Sequence, residues 1–112
     1  MDPQLVQLAQ TAGTTVVALL ATEAWTATRD GVVALWRRVS PARADDAAAA
    51  IEETRADVVL AREQGDTETE EALATEWYGR LRRLLAADPS AAQELERVLS
   101  EARGNFPSAS SR

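Results

Sequence analysis

The stretch that decides the fold is TETEEALATEWYGRLRRLLAA, residues 67–87. Leu73, Trp77, Leu81, Leu84 and Leu85 recur in it at spacings of three and four, with polar and charged residues between them. That period puts them on one face of an α-helix. The words before it, Thr67-Glu68-Thr69-Glu70, match a capping box, with Thr67 as N-cap and Glu70 reaching back to it. Asp88-Pro89 ends this helix and caps the next, in which Ala92, Leu95, Val98, Leu99 and Ala102 again share a face. Gly104 closes that one, and the Ser-rich residues 105–112 read as a flexible tail.

Upstream, Gly65 suits the C′ position of a helix running from about 41 to 64, rich in Ala and opened by Ser40-Pro41. The short Gly65-Asp66 link makes helices 41–64 and 68–87 a long antiparallel pair. Asp2-Pro3 reads as an N-cap with proline in the first helical turn. A helix follows from residue 3, with Gly31 the expected point of bend or break. The expected elements are 3–29, 31–39, 41–64, 68–87 and 90–103. They describe an all-α chain, a small four-helix bundle, or five-helix if the first rod breaks, in a single domain 1–104. Its expected core is Leu5, Leu8, Val16, Leu19, Trp25, Trp36, Leu73, Trp77, Leu81, Leu84, Leu95 and Leu99.

Composition excludes much chemistry. The 112 residues include twelve Arg and no Lys, His or Cys, with net charge −6. There is no thiol nucleophile, imidazole base, zinc finger or Schiff-base lysine. Acidic balance argues against nucleic acid, whose binding rests on a basic face. Ten acids lie between Asp45 and Glu71, but a di-iron centre needs Glu-x-x-His, and no D-x-D-x-D-G loop is present. No catalytic residue, metal site, cofactor or small-molecule substrate is expected. The acidic run reads as a solvated helix face, with docking of a basic partner as the functional alternative. No secretory signal is legible, so the cytoplasm is the expected compartment.

One segment stands out. Residues 3–22 contain no charge, and the polar stripe of this helix offers only Gln, Thr, Ala and Gly. Such a face accepts burial without desolvating a charge. Ala9-xxx-Gly13 permits close approach of another helix. Three readings are open: a central helix of the domain's own core, a docking helix for a second copy or a larger protein, and a helix that inserts into a bilayer. The candidate interface is Gln4, Gln7, Thr11, Gly13, Thr14 and Val17, joined by Tyr78 and Arg82 from the aromatic–arginine word at 77–83. The expected function is a non-catalytic interaction or adaptor protein, self-associating or bound to a larger protein. The alternative is a membrane-active effector. The arginines at 80, 82 and 83 are expected to pair with the neighbouring acidic helix.

The words TAGTTVVALLATEAW, residues 11–25, and EWYGRLRRLLAADP, residues 76–89, resemble a group of short Ala/Arg-rich helical proteins of actinobacteria. The resemblance spans about residues 4–100 and implies a bacterial, cytoplasmic, stand-alone protein. It brings no activity and no functional residue.

Overall fold

The computed structural model describes residues 2–104, and all of its regular structure is helical. In order these are α1 (Pro3–Leu20), α2 (Trp25–Val39), one 3-10 turn (Pro41–Arg43), α3 (Ala44–Glu63), α4 (Thr67–Ala87) and α5 (Ala91–Gly104). The tail at 105–112 lies outside the described residues.

The α1 start follows its sequence signature. Asp2 caps it through a 2.8 Å bond from the Gln4 N–H to Oδ1, and Pro3 occupies the first turn. Its end does not lie where expected. The chain leaves the helix at residues 21–24, ten residues before Gly31. Thr22 donates its hydroxyl to the Leu19 carbonyl at 2.6 Å and accepts the Ala24 N–H at 3.1 Å. A threonine that bonds the backbone in this way competes with helix continuation. Arg55, from α3, then closes the freed end by donating to the Leu20 carbonyl at 2.7 Å. Its guanidinium also stacks on Trp25, 4.9 Å from the ring centroid. A cation on the last carbonyls of α1 complements the helix dipole there.

Gly31 sits inside α2 because α5 passes against it. A Cβ at residue 31 would come within 2.5 Å of Val98 Cγ1. The residue that suggested a break is therefore a point of close packing.

The link between α3 and α4 is a Schellman turn. Gly65 has φ +67°, the Asp66 N–H reaches the Ala61 carbonyl at 2.8 Å, and the Gly65 N–H reaches the Arg62 carbonyl at 3.3 Å. The capping box is not formed as expected. Asp66, not Thr67, is the N-cap of α4 and accepts the Thr69 N–H at 3.0 Å. Glu70 turns instead to Arg62 in a two-point ion pair, at 2.9 and 3.1 Å. A bidentate guanidinium–carboxylate contact across the turn outcompetes a return to the cap.

α1 packs most extensively on α4, in opposite directions. Gly13 faces the Ala74–Tyr78 backbone, and Thr14 and Val17 face the start of α4. α3 also runs against α4, joined by Arg62 to Glu70 at one end and Thr54 to Trp77 further along. α2 runs against α5, from Gly31 beside Val98 to Arg38 on Glu94 at 2.6 Å.

The core centres on Trp77, which is fully buried. Its indole N–H donates to Thr54 Oγ1 at 2.9 Å, and its ring meets Trp36 edge-on, with centroids 6.1 Å apart and planes at 88°. Val16, Leu19, Trp36, Leu73, Leu81, Leu84, Leu95 and Leu99 are buried around it, with Leu8 and Trp25 packed at the margin. Leu5 differs from expectation: it is half-exposed and outside the core cluster. It lies two turns before Gly13, about 12 Å along the helix, where α4 reaches its C-terminal end.

Candidate functional site

The expected interface residues divide into two sets. Gln4, Gln7, Thr11 and Thr14 are exposed along one stripe of α1, with Thr14 at the edge where α1 meets the start of α4. Gly13 and Val17 are buried against the chain's own α4. A Cβ on Gly13 would lie 2.8 Å from both the Ala74 carbonyl oxygen and the Tyr78 nitrogen. The small-residue spacing that suggested a partner helix is thus occupied from within, so Gly13 and Val17 offer no surface. Tyr78 is half-buried against the core, and Arg82 is exposed on α4.

The exposed stripe of α1 carries no charge, whereas each of the other four helices exposes several. Beside it, Leu5 and Val6 are half-exposed and belong to no core contact cluster. Uncharged amides and hydroxyls next to partly exposed aliphatic groups form a surface that can be buried with its hydrogen bonds replaced.

A second feature lies elsewhere. Where α2 ends and the C-terminal half of α4 passes the 3-10 turn, a cleft of about 560 Å³ opens. Buried Trp36 and Leu84 line it together with Arg43, Asp46, Arg80 and Arg83. Arg80 and Arg83 share a helix face because they are three residues apart. Arg82 falls off that face. Arg80 contacts Glu76 at 3.5 Å and stacks on Trp77 at 5.4 Å. The expected pairing of arginines 80, 82 and 83 with the acidic helix is not made. Among the described residues neither Arg82 nor Arg83 forms an ion pair, and the one of Arg80 is within α4. Sequence reading singled out 77–83 but had no signal for Arg43 and Asp46. Their approach to α4 is set by how the 3-10 turn starts α3.

Three carboxylates are held low by their hydrogen bonds. Glu70 is held below the usual carboxylate range by its hydrogen bond to Arg62, which is raised in turn. Asp66 is lowered by the Thr69 hydroxyl and N–H, and Asp88 by the hydroxyl and N–H of Ser90, with help from Arg38. These groups serve helix ends and links. Among the described residues no three acidic side chains gather as a metal site requires. Among them, too, no helix is long and apolar enough to cross a membrane.

No protein-family model, curated protein or solved structure matches the chain.

Proposed function

We propose that this chain is a non-catalytic helical interaction module of the bacterial cytoplasm, with α1–α5 forming one five-helix bundle. It docks through the outer stripe of α1, on a second copy of itself or on a larger protein. The observation that carries this reading is the uncharged surface of Gln4, Gln7, Thr11 and Thr14 on a chain whose other helices all expose charge. Leu5 and Val6 at its edge supply apolar area that the chain's own core leaves half open. Insertion of α1 into a bilayer would require Val16, Val17 and Leu20 to leave their buried positions in the core. That requirement counts against the membrane-active alternative.

The test places charge on the stripe without touching the buried face, with the pair Gln7→Arg and Thr11→Arg. Light scattering on a size-exclusion column is expected to give a wild-type mass above the 12.1 kDa of one chain. The double variant should fall to one chain with an unchanged helical spectrum. Equal masses for the two would refute self-docking through α1. Equal recovery of partner proteins by both from cell extract would remove docking through this face altogether.

A further inference from the structure

We infer that the cleft between the end of α2, the 3-10 turn and the C-terminal half of α4 binds a phosphate group, that of a phosphorylated small molecule or of a lipid. The inference goes beyond the α1 docking surface and does not depend on it. It starts from a contrast among the arginines. Arg29, Arg38 and Arg62 each find a carboxylate on another helix or across a turn. Arg43 and Arg83 form no ion pair among the described residues, and neither do Arg37, Arg55, Arg82, Arg97 and Arg103. What sets Arg43 and Arg83 apart is that both line one cleft. Arg80 lines the same cleft, with a 3.5 Å contact to Glu76 and its guanidinium 5.4 Å from the Trp77 ring centroid.

The charges come from segments far apart in sequence, residue 43 on one side and residues 80 and 83 on the other. Like charges lining one cleft raise the local potential for an anion. Asp46 in the lining and Glu76 on Arg80 offset two of the three guanidinium charges and leave an excess of one positive charge. That excess attracts a phosphate monoester, which carries about two negative charges near neutral pH. Guanidinium forks donate paired N–H bonds to phosphate oxygens, and two forks from opposite walls can hold one phosphate from both sides. Trp36 and Leu84, nearly fully buried in the same lining, lower the local dielectric and strengthen those bonds. With no lysine in the chain, the choice of arginine says nothing about the ligand. The convergence of three of them on one cleft does.

A structural role makes a different prediction. Arg83 lies one turn before the end of α4 at Ala87, where a cation stabilises the helix dipole. On that account, removing it lowers stability and affects no ligand.

The experiment titrates the full chain, labelled with nitrogen-15, with inorganic phosphate at low ionic strength and follows the arginine Nε–H and tryptophan indole signals. Saturable shifts are expected at Arg43, Arg83 and Trp36. Arg43→Gln and Arg83→Gln should each weaken binding about tenfold, the loss of one charge-assisted contact. Asp46→Asn should tighten it, and Arg97→Gln, on the exposed face of α5, should leave it unchanged. Melting curves of each variant separate folding from binding. Shifts with phosphate but no sedimentation with phosphatidate-containing vesicles would identify a free phosphate ester as the source. Vesicle binding that inorganic phosphate competes away would identify a lipid headgroup. Absence of saturable shifts in the wild type overturns the proposal. So does undiminished binding in both arginine variants, or no tightening in Asp46→Asn.

Discussion

Replacing Gly13 by alanine tests the packing of α1 against α4 most directly. Helix propensity alone says the change should help, since alanine is favoured over glycine in a helix interior by about 1 kcal/mol. The structure says it should harm. The new methyl would lie 2.8 Å from a backbone oxygen and 2.8 Å from a backbone nitrogen of α4, well inside van der Waals contact. Backbone atoms in a helix cannot rotate away as a side-chain tip can, so the two helices must separate. Overpacking of this kind costs about 1–3 kcal/mol, and the rigidity of both contacts argues for the upper part. After subtracting the propensity gain, the net loss is about 1–2 kcal/mol. In a domain near this size each kcal/mol moves the melting temperature by roughly 4–8 °C. Gly79 is the internal control. It is also inside a helix, α4, but a Cβ there meets nothing within 4 Å. Gly79→Ala should therefore raise the melting temperature while Gly13→Ala lowers it, both followed by circular dichroism at 222 nm. If Gly13→Ala stabilises as much as Gly79→Ala, the close approach of α1 and α4 is wrong.

Gly31→Ala should likewise destabilise, because its methyl would meet Val98 Cγ1 at 2.5 Å. Here the obstacle is a side chain, so Val98→Ala in the same chain should recover part of the loss. An additive double mutant in urea unfolding would show that the two residues do not touch. Thr54→Val keeps the shape of a buried residue but leaves the Trp77 indole N–H without its acceptor, at a cost of about 1–3 kcal/mol. Unchanged urea stability in that variant would mean the indole has another partner. The lowered carboxylates give an acid dependence whose sign is set. Asp66, Glu70 and Asp88 have folded values below their ordinary 3.8, 4.5 and 3.8. Their stabilisation is complete above those ordinary values and is lost as pH falls through the lower folded ones. The melting temperature should decline on acidification below about pH 4.5, with a shallower decline in Glu70→Gln than in the wild type. Parallel curves for the two would rule out the Arg62 pair as a source of that dependence.

Helical class and most helix ends are legible in the amino-acid string. These are local matters: a period of three to four, a proline or aspartate at a start, and a glycine at φ > 0 at residue 65. Each is decided by a few neighbouring residues, so each is legible in a one-dimensional string. Asp2-Pro3, Gly65 and the Leu73–Leu85 stripe belong here. The break after Leu20 does not. It depends on Thr22 competing for the backbone and on Arg55 arriving from a helix thirty-five residues later. Gly13, a candidate partner contact, and Gly31, an expected bend or break, both lie against another helix of the chain. A missing Cβ signals close approach or backbone freedom alike, and only the neighbour in space tells which. The surfaces divide the same way. That residues 3–22 carry no charge is written in the sequence, but which half of them faces water was decided by α4. The arginine cleft is tertiary altogether: Arg43 and Asp46 share a cleft with Arg80 and Arg83 because α3 begins, after its 3-10 turn, beside the C-terminal half of α4.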